Sequence, residues 1–135
     1  MALNASDLTV GDTYTESLVE NLSRTQIVQY AGASGDYNPL HTDEIFTTKV
    51  AGYPTVFAHG MLTMGMTGRM VTNYVGDGRL TKYGVRFTSQ VWPGDTLSST
   101  ATVEEVADGL VKLNLQTINQ DGAVVLSGYA EARVD

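Results

Sequence analysis

The sequence of 135 residues contains no cysteine, three prolines and a single tryptophan. Without cysteine the chain can form no disulfide, no thiolate nucleophile and no thiolate zinc site. This composition fits a reducing compartment. The first ten residues also lack the basic start and apolar core of a signal peptide, so we expect a cytoplasmic protein.

Basic residues and long apolar runs are also scarce. Eight lysines and arginines oppose 15 acidic residues, which gives a net charge of −7, and the basic residues are scattered. Nucleic-acid binding normally needs a basic patch, and a membrane span needs roughly 20 consecutive apolar residues. We therefore expect residues 1–135 to form one globular domain, with neither nucleic acid nor a membrane as its partner.

The first half of the chain predicts short mixed elements and one long helix. A strand is expected over residues 13–22, and a capping box that begins at Ser23 predicts the helix after it. The long helix is expected over residues 60–75, where apolar residues occupy most faces, as in a buried helix. Gly65 and Gly68 inside it each cost about 1 kcal/mol relative to alanine. We therefore expect a sheet or a ligand to pack closely against both.

The second half is rich in predicted strands. Alternating apolar residues and turn residues indicate four more strands, over residues 80–91, 96–106, 110–118 and 124–134. Together with the first strand they predict an antiparallel sheet of five strands and an α+β class. A sheet curled around the long helix would explain the glycines in that helix.

The candidate acid–base residues lie between the predicted helices. Asp36 precedes His41 by five residues, and Pro39 stiffens the turn or loop predicted between them. A carboxylate and an imidazole on one rigid loop can share a water molecule, and an imidazole pKa near 6.5 suits proton transfer at neutral pH. The spacing alone is weak evidence. The alternative is that Asp36 and His41 are helix caps and that Asn38 only initiates a turn.

His59 and Gly60 stand at the start of the long helix. Free N–H groups and the helix dipole there suit an anion or a developing oxyanion, and Gly60 lets a ligand approach the backbone. The alternative is plain N-capping. Thr63 and Thr67 can hydrogen-bond a ligand, although threonine in a helix more often bonds back to a carbonyl.

Three stretches carry a resemblance to one family: YAGASGDYNPLH at 30–41, PTVFAHGMLTMG at 54–65 and GVRFTSQVWPGD at 84–95. Together they resemble the MaoC-like (R)-specific enoyl-CoA hydratases, or hydratase 2, which have the hot-dog fold. The catalytic subunits of mycobacterial (3R)-hydroxyacyl-carrier-protein dehydratases are similar in the same stretches. The resemblance implies a long central helix wrapped by a curved antiparallel sheet.

The resemblance also implies roles for individual residues. Asp36 and His41 match the catalytic dyad, which holds the water added at C3 and delivers a proton to C2. The N–H of Gly60 matches the oxyanion donor to the thioester carbonyl, Asn38 orients the active loop, and His59 adjoins the substrate. The implied substrate is a trans-2-enoyl thioester of CoA or acyl carrier protein in fatty-acid metabolism. It is hydrated to the (3R)-3-hydroxyacyl form, or formed from it by dehydration, without a cofactor or a metal.

Two positions depart from the family pattern. Some members have a serine in the central helix where this chain has Gly68, which leaves the chain-length preference open. Many members read F-x-x-P-V-x-P-G-D, and Gln90 replaces the first proline here. We expect this second departure to cause only a local change in the strand.

Two other functions remain as alternatives: a hot-dog thioesterase, and a non-catalytic subunit of a heterodimeric dehydratase. Several thioesterases place their carboxylate on the central helix, and residues 61–75 contain none. A non-catalytic subunit would be expected to lack one member of the dyad, and this chain has both. Because sheet edges are commonly covered, we expect a homodimer, or a heterodimer with another hot-dog subunit.

Overall fold

The computed structural model describes residues 3–135. A 3₁₀ turn (Ala5–Asp7) precedes β1 (Thr13–Val19), which leads into helices α1 (Arg24–Ser34) and α2 (Pro39–Thr42). A π-helical segment (Phe46–Val50) and an extended stretch then lead to α3 (Gly60–Val75). Four strands follow: β2 (Leu80–Phe87), β3 (Leu97–Ala107), β4 (Leu110–Ile118) and β5 (Val124–Arg133).

The five strands form one antiparallel sheet in the order β1-β3-β4-β5-β2, so β1 and β2 are its edges. Helix α3 contacts both edge strands as well as β3 and β5. A flat sheet of five strands would span about 19 Å between its outer strands, whereas a helix is only about 10 Å wide. The sheet must therefore curl around α3, and the predicted sheet wrapped around one long helix is confirmed.

Strand β4 shows how the residue pattern directs the sheet onto the helix. Its side chains alternate between buried and exposed positions, as a strand with one buried face requires. The buried members are Val111, Leu113, Leu115 and Thr117. The three apolar members join the core to which α3 contributes Met70, Val71 and Val75.

The two ends of α1 are defined by local chemistry. At its start, the Ser23 hydroxyl accepts the N–H of Gln26 while the Gln26 side chain accepts the N–H of Ser23, which confirms the predicted capping box. At its end, Gly35 has φ +76°, a left-handed conformation that glycine adopts at no steric cost. Asp36 is the next residue, so the end of α1 fixes the position of the candidate carboxylate at the start of the following loop.

One face of α3 is exposed, so the prediction of a helix buried on nearly all sides is wrong in this respect. After Gly60, its exposed residues recur every four positions, as Met61, Gly65, Arg69 and Asn73. A Cβ added at Gly65 would meet no atom of residues 3–135 within 4 Å, so the sheet does not pack closely there. Among residues 3–135, no helix is both long and apolar enough to cross a bilayer.

Gly68 does have the close neighbour that was predicted. A Cβ at Gly68 would lie 3.2 Å from the ring of Tyr83 on β2. The Tyr83 hydroxyl donates a hydrogen bond of 2.7 Å to the carbonyl of Met64 one turn earlier. Tyr83 thus connects β2 to α3 by a hydrogen bond, with its ring packed over Gly68.

A second close approach joins β2 to β5. Gly128 lies against Gly84, and a Cβ on Gly128 would collide with the carbonyl oxygen of Gly84. A Cβ on Gly84 would come 2.7 Å from the Tyr129 ring. Because the first obstacle is backbone, it cannot be relieved by rotation of a side chain.

We expect Gly128→Ala to lower the free energy of unfolding by about 1–3 kcal/mol, because β2 and β5 would have to separate to admit the methyl group. The matched variant Gly65→Ala should instead raise it by about 0.5–1 kcal/mol, since alanine is the better helix former and the site is open. Urea unfolding of both variants and the wild type measures the difference. An unchanged midpoint for Gly128→Ala would contradict the close approach.

Candidate active site

The loop between α1 and α2 is fixed by two successive side-chain turns. The Asp36 carboxylate accepts the N–H of Asn38 at 3.2 Å, and the Asn38 side chain accepts the N–H of Leu40 at 3.0 Å. Asn38 is the N-cap of α2 and Pro39 is its first residue, which confirms the turn predicted before the proline. His41, however, lies within α2 and not in the loop. The capping role that was the alternative for Asp36 belongs to Asn38.

His41 is a buried histidine with one defined tautomer. Its side chain is 9% exposed, so it is not a surface cap. Its Nδ1 lies 2.6 Å from the carbonyl oxygen of Phe57. Because a carbonyl oxygen can only accept, Nδ1 carries the proton and Nε2 keeps a free lone pair. Burial lowers the pKa of the imidazole below its ordinary 6.5, more than the bond to Phe57 raises it, so His41 is neutral at pH 7.

His59 links the start of α3 to the Asp36 loop. It is 1% exposed, and its Nε2–H donates a 2.9 Å hydrogen bond to the carbonyl oxygen of Asp36. Its ring stacks on that of His41 with centroids 3.8 Å apart, and the Tyr30 ring meets it edge-on at 4.8 Å. The side chain of His59 does not cap α3, so plain N-capping is wrong for this residue.

The structure brings Asp36, His41 and His59 together. One carboxylate oxygen of Asp36 and one ring nitrogen of each histidine lie within 4.8 Å of one another. One water molecule, with hydrogen bonds of about 2.8 Å, can span such a distance between a carboxylate and an imidazole. The two imidazoles are stacked at an interplanar angle of 25°, so their in-plane lone pairs do not converge well on a single ion. The cluster therefore suits a shared water better than a metal, and the absence of a metal site stays a prediction.

Gly60 opens onto a cavity beside this cluster. As the first residue of α3 it has an N–H without an intrahelical acceptor. The cavity has a volume of about 340 Å³, and its walls include Gly60, Phe57, Thr63 and the segment 87–91. Phe57 belongs to both places, because its carbonyl binds His41 and the residue lines the cavity. Phe57 thus lies between the cavity at Gly60 and the predicted dyad, whose two residues are not among those that line the cavity.

Some features of the site have no signal in the sequence. The bond from His41 to Phe57 uses a backbone carbonyl, which any residue type could supply. Gln90 is a wall residue of the cavity, so its replacement of the family proline reaches the site and is not confined to the strand. Of the two candidate threonines, Thr67 bonds to Thr117 at 2.8 Å, while the buried Thr63 hydroxyl has no partner among residues 3–135.

The sequence and the architecture of this chain are similar to those of known proteins. Residues 6–123 match the model of the MaoC like domain. The chain belongs to the MaoC-like domain family. The MaoC-like chain is 32% identical over 115 residues to 3-hydroxyacyl-thioester dehydratase Y of Mycobacterium tuberculosis, covering 83% of this chain and 39% of that protein. It is 35% identical over 103 residues to the peroxisomal enoyl-CoA hydratase 2 of Arabidopsis thaliana, covering 74% and 32%.

A solved structure extends the match to the fold. The R-hydratase PhaJ1 from Pseudomonas aeruginosa superposes with a TM-score of 0.84 at 28% identity, covering 98% of this chain and 86% of that one. The predicted hot-dog fold is therefore confirmed. The MaoC-like chain spans about a third of the length of the two curated relatives described above.

The proton equilibrium of His41 can be measured directly. We expect its imidazole to titrate below pH 6.5 in the folded protein, followed by NMR of the ring carbons, and near 6.5 in urea. As the pH falls, the unfolded chain binds the proton before the folded protein does. The contribution of His41 to the free energy of unfolding is therefore fully present above pH 6.5, and it is lost as the pH falls from 6.5 through the folded pKa. A folded pKa at or above 6.5 would contradict the buried neutral imidazole.

Proposed function

We propose that this MaoC-like domain adds water to a trans-2-enoyl thioester of CoA or acyl carrier protein. The product is the (3R)-3-hydroxyacyl thioester, and the reverse dehydration uses the same groups. The observation that carries the proposal is the cluster itself, in which a ring nitrogen of buried, neutral His41 and an oxygen of the Asp36 carboxylate lie within 4.8 Å of each other. The names of the relatives, a hydratase and a dehydratase, support a hydro-lyase of fatty-acid metabolism.

The geometry supports a redox-neutral acid–base mechanism. Asp36 and the Nε2 of His41 hold one water, and the imidazole takes a proton from it as its oxygen bonds to C3. The electron pair of the double bond moves toward the thioester oxygen, where the N–H of Gly60 stabilises the negative charge. Such a donor contributes about 2.7–4 kcal/mol. The dyad then returns the proton to C2 from the same face, which is syn addition.

Two neighbouring residues act by positioning the dyad. Asn38 caps the short helix that carries His41, and His59 holds the backbone of Asp36 while its ring supports that of His41. Neither needs to exchange a proton with the substrate. Because no electrons enter or leave during hydration, the reaction as written needs no redox cofactor.

We also propose that the domain works as a dimer. The outer edge of β2 has no partner strand within residues 3–135. Phe87 on β2 and Tyr129 on β5 are each 50% exposed. Large apolar side chains beside an open edge suit a contact between subunits. A homodimer is the first expectation and a heterodimer with another hot-dog subunit the second, and light scattering of the purified protein distinguishes both from a monomer. The single-domain organisation and the cytoplasmic location stay predictions.

We expect the wild type to hydrate trans-2-enoyl-CoA to the (3R)-hydroxy product, measured as loss of enoyl thioester absorbance with chiral analysis of the product. Asp36→Asn and His41→Ala should each lower kcat/KM by about 100- to 10,000-fold, because each removes a positioned acid–base group. Asparagine at position 36 still offers an oxygen to the N–H of Asn38, so the loop should be kept. Asp77→Asn, in the exposed turn after α3, is the matched control and should retain full activity.

Other results would redirect the assignment. Wild-type turnover in both dyad variants would show that Asp36 and His41 are not the acid–base pair. Release of free thiol from acyl-CoA by the wild type would indicate a thioesterase instead. A protein without either activity that stably binds a second hot-dog chain would be the non-catalytic subunit.

A further inference from the structure

Two buried polar side-chain atoms in the described part of the chain have no hydrogen-bond partner: Thr63 Oγ1 and His59 Nδ1. Thr63 is 2% exposed. Buried hydroxyls are nearly always paired in folded proteins, so an unpaired one calls for an explanation. A hydroxyl that is kept without a partner at a cavity is available to a ligand.

The other threonines of α3 do not share this property. Thr72 bonds back to the carbonyl of Arg69 at 3.1 Å, which is the ordinary choice in a helix. Thr67 reaches across to Thr117 on β4 at 2.8 Å. Thr63 makes neither kind of bond, although it belongs to the same helix.

Thr63 lies at the site already described. It lines the same cavity as Gly60 and is three residues further along α3. Side chains on a helix lean toward its N-terminus, so Thr63 covers the first turn, where the N–H of Gly60 is free. The residues that carry the hydroxyl and this N–H thus lie one helical turn apart and line the same cavity.

The two unpaired atoms differ in what they can offer. The Nε2–H of His59 already donates to the carbonyl of Asp36, so this ring has a backbone partner that fixes its orientation. The Thr63 hydroxyl carries a proton that nothing in the described chain holds. Of these two residues, only Thr63 lines the cavity, so its hydroxyl is the one placed to donate to an oxygen that gains negative charge there.

We propose that the Thr63 hydroxyl is a second hydrogen-bond donor to the carbonyl oxygen of the bound acyl thioester, beside the N–H of Gly60. The inference rests on the proposed function. An enolate oxygen has lone pairs for more than one donor, and a single backbone N–H satisfies only one. A hydroxyl without another partner turns toward the oxygen at no loss of an existing bond.

Thr63→Val removes the hydroxyl but keeps the shape of the side chain. We expect kcat/KM for enoyl-CoA hydration to fall about 10- to 100-fold, with a melting temperature equal to that of the wild type or higher, because no hydrogen bond is lost. Thr63→Ser should restore most of the activity. The matched control Thr67→Val loses the bond to Thr117, so it should melt at a lower temperature and keep wild-type kinetics.

A spectroscopic measurement tests the hydrogen bond without turnover. Butyryl-CoA labelled with ¹³C at the carbonyl cannot be hydrated, and its carbonyl stretch moves to lower frequency when hydrogen bonds to the oxygen strengthen. The shift on binding should be large in the wild type and Thr63→Ser and clearly smaller in Thr63→Val. Equal frequencies in the wild type and Thr63→Val would overturn the inference, as would failure of the wild type to bind.

The two measurements separate the inference from the proposed function. If the wild type does not hydrate enoyl thioesters, the proposed function fails, while the carbonyl frequency still decides the role of Thr63. If Thr63→Val shifts the pH profile of kcat/KM and leaves the carbonyl frequency unchanged, Thr63 acts through His59 and His41. That result would also overturn the inference.

Discussion

The hydrogen bond from His59 to the carbonyl of Asp36 is the contact on which the site depends. It joins two parts of the chain that are distant in sequence, namely the start of the central helix and the loop after the first helix. The stacking of His59 on His41 then transmits this link to the second member of the dyad. The position of the carboxylate relative to Gly60, the proposed oxyanion donor, is therefore set by α3, around which the sheet is curled.

Both imidazoles are buried, and each gives one N–H to a backbone carbonyl, which satisfies that donor. For His41, burial favours the neutral ring more strongly than the bond to the carbonyl favours the charged one. That bond also selects the tautomer of His41, because a neutral ring that is protonated at Nδ1 has an unprotonated Nε2. The chemistry proposed for His41 thus follows from its packing, and the exposed Asp36 supplies the charge that the interior could not carry.

Much of this architecture could be predicted because it depends on local patterns. The capping box at Ser23, the alternation along β4 and the boundaries of α3 need only neighbouring residues. The pairing of Asp36 with His41 was also predictable, since both lie within six residues around a proline. The partners of the two histidines could not be predicted, because backbone carbonyls are the same in every residue type. Gly65 was misjudged since a glycine under a ring and a glycine facing solvent look alike in one sequence.

The contact between Tyr83 and Gly68 has a consequence for how this chain can diverge. The ring and any side chain at position 68 compete for the same space, and the tyrosine hydroxyl is tied to the helix backbone at Met64. A larger residue at position 68 requires a smaller residue at position 83, or a different orientation of the side chain there. Positions 68 and 83 are thus expected to covary, so that evolution alters them together and with them the contact between β2 and α3.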